Sequence, residues 1–79
     1  MDKEKNAALR QAVRLNLINL RMTKGLTQGD IASETGKSCN AVGSWEQGLS
    51  LPDISTLYRL STFYGVSMEY FFENKPKEE

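Results

Sequence analysis

Asn40, Ser44 and Gln47 recur at helical spacing, with Gly43 among them and Cys39 at the head of the same run. If Val42 and Trp45 point inward, helical geometry turns these residues outward. A solvated helix face normally carries lysine and glutamate, whereas this one offers only small or neutral hydrogen-bonding groups. Such groups approach a patterned polar surface closely, and the base edges of a DNA major groove are a surface of that kind. Asn40 is the strongest reader among them. Its amide can bond both N6 and N7 of adenine, a bidentate contact worth about 1 to 3 kcal/mol of discrimination that a serine hydroxyl cannot equal. Gly43 costs the helix about 1 kcal/mol relative to alanine, and the room it leaves suits a neighbouring surface. Periodicity alone also fits a short exposed helix with a weak middle, in which Asn40 is simply a solvated polar residue.

Local signals define the elements that must hold this face. No stretch alternates as a strand would, so the chain reads as all-α, a compact five-helix domain. Helix one spans about Asn6 to Lys24, with Leu9, Val13, Leu17 and Leu20 on one stripe and Gly25 as its stop. Leu15, Ile18 and Met22 form a second stripe on nearly the opposite side. Helix two opens at Thr27 as N-cap, with Asp30 as a short capping-box acid and Leu26 placed to staple Ile31, and it ends at Gly36. Ser38 caps helix three, which Gly48 closes. Pro52 and Asp53 announce helix four, whose inward stripe is Ile54, Leu57, Leu60 and Tyr64. Gly65 ends that helix, Ser67 caps a fifth, and Val66 is placed to staple Phe71. Residues 6–73 thus form one helix-turn-helix domain, between a flexible N-terminus at 1–5 and a polar tail at 74–79.

Ten basic and ten acidic side chains cancel, so the chain lacks the strong positive charge of many nucleic-acid binders. The distribution is uneven. Lys5, Arg10, Arg14, Arg21 and Lys24 come with no acid among them, whereas Asp30, Glu34, Glu46 and Asp53 follow with only Lys37 between. One face of a neutral chain can therefore be basic. A length of 79 residues leaves little room for an active-site cleft. There is no histidine, glycine-rich phosphate loop, metal-ligand cluster or pair of carboxylates at a pocket-forming spacing, which argues against an enzyme and against any cofactor or metal. The single cysteine excludes an intramolecular disulfide framework, and no apolar run suits a membrane span or signal-peptide core. A reduced, cytoplasmic setting is the simplest reading.

Leu26-Thr27-Gln28, Ile31-Ala32, Gly36, Ser38, Val42, Trp45-Glu46 and Gly48 resemble the signature of the lambda-repressor-like, Cro-type (xenobiotic-response-element) helix-turn-helix regulators. The similarity continues through Leu57, Leu60 and Gly65-Val66-Ser67, covering about residues 13 to 72. Thr35 and Lys37 depart from it, standing where the family usually carries apolar residues around the turn glycine.

The resemblance implies sequence-specific binding of double-stranded DNA by a small transcriptional regulator, a repressor, with the helix at 38–47 in the major groove. It also implies a homodimer on a palindromic operator. Cys39, Asn40 and Ser44 then fall at base-contacting positions, with Ser38 nearer the backbone and Lys37, Gly43 and Gln47 completing the DNA-binding face. Gln28 takes the place of the family's glutamine that contacts the DNA backbone and braces a base-reading side chain. Arg21 and Glu46 occupy the family's positions for an ion pair tying helix one to the recognition helix. The loop Gly48-Leu49-Ser50-Leu51 lacks the basic residues often found there, so phosphate affinity rests more on Lys24, Lys37 and Arg10 or Arg14.

Other features stay open in the sequence. Trp45 reads as core, since an inward aromatic buries area. Cys39 at a helix N-terminus favours the thiolate and admits a redox switch, but a small groove-facing residue explains it equally well. Leu15, Ile18, Met22 and the run Tyr70-Phe71-Phe72 either belong to an interface or pack on one another, helix five folding back on helix one. The competing function is a protein-interaction module of the same fold, such as an antitoxin or antirepressor, and the neutral net charge is its best support.

Overall fold

A computed structural model of the chain describes residues 3–73, with side chains from Ala7 onward. The described residues hold four α-helices and no strand: α1 (Lys3–Thr23), α2 (Gln28–Thr35), α3 (Cys39–Glu46) and α4 (Ile54–Tyr64), followed by a short 3-10 helix, Met68–Phe72. The expected fifth α-helix is thus replaced by a tighter turn. Its reason is length: Tyr70 N–H bonds the Ser67 carbonyl and Glu73 N–H bonds the Tyr70 carbonyl, an i to i+3 pattern that suits a piece too short to propagate an α-helix. The first helix is longer than expected, because Lys3 to Lys5 are already helical rather than a flexible terminus. Residues 1–2 and the tail at 74–79 lie outside the described residues.

The caps fall where the side chains predict. Thr27 Oγ1 accepts from Asp30 N at 3.0 Å while Asp30 Oδ2 accepts from Thr27 N at 2.9 Å, a closed capping box. Ser38, Asp53 and Ser67 each accept the amide three residues on, opening α3, α4 and the 3-10 helix. Gly36 adopts φ 72° between α2 and α3, a left-handed conformation that a side chain would strain. The departures at Thr35 and Lys37 do not disturb this turn. Thr35 Oγ1 donates back to the Ile31 carbonyl at 2.8 Å, and Lys37 N–H bonds the Ala32 carbonyl at 3.1 Å.

One apolar cluster joins all five elements: Val13 and Leu17 from α1, Ile31 and Ala32 from α2, Val42 and Trp45 from α3, Leu57, Leu60 and Tyr64 from α4, and Phe71. Leu20, Leu26, Ala41, Val66 and Met68 pack against it. Two residues expected in the inward stripes are exposed. Leu9 lies near the start of α1, whose 21 residues at about 1.5 Å each outrun the shorter helices it packs on. Ile54 opens α4 and is 75% exposed, while Thr56 takes the buried place in that first turn.

The 3-10 helix does fold back on α1, through a polar clamp absent from the sequence reading. Asn16, buried on α1, directs Nδ2 at the carbonyls of Tyr70, Phe71 and Glu73 at 3.1, 3.0 and 3.0 Å. Three C-terminal carbonyls thereby gain a donor inside the fold, and Phe71 is carried fully into the core. Of the second stripe of α1, Leu15 and Met22 remain exposed and Ile18 is half-buried.

Candidate nucleic-acid interface

α2 and α3 meet across the Gly36 turn, and burial of Val42 and Trp45 fixes the rotation of α3 about its axis. Ser38, Cys39, Asn40 and Gln47 are consequently exposed, with Gly43 and Ser44 half-buried on the same side. The outer surface of α3 carries no charged residue, since Glu46, the only one in the helix, is buried. Ser44 Oγ lies 2.7 Å from Ser50 Oγ, which ties the middle of α3 to the loop that follows it. Ser50 had no signal in the sequence beyond its place in that loop.

The inner end of α3 is anchored by a charged network. Arg21 Nε and Nη2 reach Glu46 Oε2 and Oε1 at 2.7 and 3.0 Å, a two-point contact between planar groups. Arg21 Nη1 also donates to the Leu26 carbonyl at 2.8 Å, so one guanidinium joins α1, the entry to α2 and α3. The hydrogen bonds that Arg21 donates to Glu46 push its pKa further up, against the opposing cost of burial. Gln28 closes the network: its Nε2 donates to Glu46 Oε1 at 3.0 Å. That last link is absent from the sequence reading, in which Gln28 contacts the DNA backbone and braces a base-reading side chain.

Gly43 separates two amides. A methyl group built there would stand 3.7 Å from Gln28 Oε1 and 3.8 Å from Gln47 Nε2, in ordinary contact with both. The charged residues of the candidate site are distributed around α3 rather than on it. Lys37 Nζ lies 3.5 Å from Asp53 Oδ2, an exposed pair that offsets the lysine's charge at the start of the face. Arg14 lies against the opposite end, where its Cδ is 3.3 Å from a methyl built on Gly48. Lys24 is exposed just beyond α1. Cys39 is a free, exposed thiol.

Two short capped helices, a left-handed glycine between them and an anchored, outward-facing second helix define a helix-turn-helix. The chain belongs to the helix-turn-helix family, whose model matches residues 17–71. It is 39% identical over 59 residues to the HTH-type transcriptional regulator y4dJ of Sinorhizobium fredii, covering 75% of this chain and 77% of that protein. It is also 35% identical to the HTH-type transcriptional regulator PuuR of Escherichia coli over 80% of this chain, but spans only 34% of PuuR. Among solved structures, a transcriptional regulator from Listeria innocua matches at a TM-score of 0.75 and 25% identity, over 85% of this chain and 63% of the other. An HTH_3 family transcriptional regulator from Vibrio cholerae matches at the same TM-score and 32% identity, over 90% of this chain and 40% of its own length.

Proposed function

We propose that the chain is a sequence-specific DNA-binding transcriptional regulator, a cytoplasmic repressor that binds a palindromic operator as a homodimer. The observation that carries this reading is the uncharged outer surface of α3, held in place by the Arg21–Glu46 contact beneath it. In this reading Asn40, Ser44 and Gln47 meet base edges, with Cys39 and Gly43 allowing close approach. Ser38 and Lys37 lie toward the sugar-phosphate backbone at the start of α3, and Lys24 supplies charge from beyond α1. Its relatives are named as transcriptional regulators, which supports the same function. The homodimer is supported by apolar side chains left exposed on α1 and at the C-terminal turn, Leu15, Met22 and Phe72. Two copies on half-sites one DNA turn apart would supply affinity that one small, neutral module lacks.

Selection of bound duplexes from a random DNA pool at two salt concentrations tests the proposal. The expected result is a palindromic consensus, with half-sites about 10 base pairs apart, whose affinity falls as salt rises. Failure to enrich any sequence at either salt would overturn it. That outcome would favour a protein-interaction module of the same fold, for which the balanced charge and the Lys37–Asp53 pair are the supporting observations.

A further inference from the structure

The direction of the Gln28 amide is dictated by its neighbours. Glu46 is a carboxylate held by Arg21, and such a group only accepts hydrogen bonds. The atom of Gln28 that faces it must therefore be the amide nitrogen, and Nε2 stands 3.0 Å from Glu46 Oε1. The carbonyl oxygen of the amide then lies toward Gly43 of α3, 3.7 Å from where a Cβ would stand. Oε1 takes no hydrogen bond within the described residues. It is an acceptor of fixed direction, whereas no hydrogen bond within the described residues fixes the side-chain amides of Asn40 and Gln47.

We infer that Gln28 Oε1 reads a base, accepting a hydrogen bond from the exocyclic amine of an adenine or cytosine in the major groove. The inference rests on the DNA-reading function proposed above. Phosphate oxygens are acceptors and cannot bond Oε1, whereas N6 of adenine and N4 of cytosine are the donors that the major groove displays. Gly43 is what keeps the approach open, since any side chain there would fill the space between Gln28 Oε1 and Gln47 Nε2. The notch thus has a fixed acceptor on one wall and the Gln47 amide on the other, whose Nε2 can donate. Adenine presents the complementary pair, its N6 amine beside N7, and cytosine presents the amine alone. The second hydrogen of Nε2 remains for a backbone phosphate, so base reading adds to the backbone contact that the family resemblance implies.

The test uses the duplex selected by the full wild-type chain. Each adenine is replaced in turn by purine, which lacks the N6 amine, and each cytosine by 2-pyrimidinone, which lacks the N4 amine. Besides the adenine that Asn40 reads, one further position per half-site is expected to weaken wild-type binding about fivefold or more, the loss of one hydrogen bond left unmade. The same deletion should leave Gln28→Ala unaffected, while Asn40→Ala still senses it; whether that position is adenine or cytosine identifies the base. Gln28→Met, of similar length and without the amide, repeats the measurement if Gln28→Ala lowers the folded fraction. The inference is overturned if no amine deletion weakens the wild type, or if each deletion weakens wild type and Gln28 variants equally. It is also overturned if Gln28→Ala changes only the salt dependence, the mark of a phosphate contact. If the wild-type chain enriches no duplex at all, the proposed function fails first and base reading by Gln28 falls with it.

Discussion

Arg21 and Glu46, 25 residues apart in sequence, meet through two parallel contacts at 2.7 and 3.0 Å, and their side chains are only 17% and 7% exposed. The pair is the joint between the long first helix and the outward-facing third. Among the described residues, Glu46→Ala would leave the guanidinium hydrogen-bonded to the Leu26 carbonyl alone and would remove the one side-chain partner of Gln28. Removing one member of a largely buried pair costs about 3 kcal/mol, because the remaining charge is left without its counter-ion. Denaturant titration should show a lower midpoint for Glu46→Ala with an unchanged slope. A midpoint equal to wild type would mean that the contact contributes nothing to the fold.

Asn16→Asp isolates a second joint. The substitution keeps the shape of the side chain but sets a carboxylate oxygen where an amide nitrogen now donates to three carbonyls. Acceptor then faces acceptor, and the loss should exceed that of Asn16→Ala at neutral pH, where unsatisfied carbonyls alone cost about 1 to 3 kcal/mol. Protonation restores a donor, and a carboxyl facing carbonyls takes up its proton above its ordinary value near 4, so the gap between the two variants should narrow as pH falls toward 4. Hydrogen exchange at Tyr70 to Glu73 would report the loosened turn. Equal stability of the two variants at every pH would remove the clamp from the account.

The elements that were legible in the sequence are those whose cause is local. Thr27 and Asp30, Ser38, Asp53 and Ser67 are separated from their partners by three residues, and Gly36 and Gly65 end their helices through their own backbone. The Arg21–Glu46 pair was legible only through the family resemblance. Asn16 carries no such mark, because a polar residue between Leu15 and Leu17 looks solvated until the carbonyls 54 to 57 residues away are brought to it. The Gln28–Glu46 bond depends in the same way on how α2 lies against α3. Ile54 and Leu9 fit helical stripes, yet a stripe fixes only the face. It does not say how far along the helix a neighbour reaches.

Asp53 makes the stability of α4 sensitive to acid. Hydrogen bonds from the Thr56 side chain and backbone, with smaller help from Ser55 and Lys37, hold its carboxyl down to about 2. A carboxyl with a depressed pKa stabilises the fold above its ordinary value near 4, and the contribution is lost as pH falls toward 2. Asp53→Asn keeps the capping oxygen but does not titrate. Thermal midpoints between pH 6 and pH 2 should fall less steeply for the variant, while parallel profiles would place the acid sensitivity elsewhere.

Asn40→Ala and Lys24→Ala should separate two contributions to DNA affinity. Loss of a bidentate amide contact is worth about 1 to 3 kcal/mol and acts at one base position, so Asn40→Ala should flatten preference there while leaving weak duplexes almost unchanged. Lys24 lies outside the reading face, and its loss should weaken all duplexes alike and lower the salt slope by about 0.9. Binding measured on the selected duplex and on single-position variants at two salts checks both. A sequence-independent loss in Asn40→Ala would take base reading away from that residue.

Gly43→Ala opposes stability to function at one atom. Gly43 is inside α3 with no positive φ, and an added methyl meets only ordinary contacts at 3.7 and 3.8 Å. The protein therefore has no steric reason for glycine, and alanine should stabilise the helix by about 0.5 to 1 kcal/mol. The same methyl would occupy the notch between Gln28 and Gln47 that the proposed interface leaves for a base. A higher thermal midpoint together with weaker binding to the selected duplex is the expected pair of results. Higher stability with unchanged binding would show that DNA does not approach α3 at this position, and the reading surface would have to be moved along the helix toward Cys39 and Asn40.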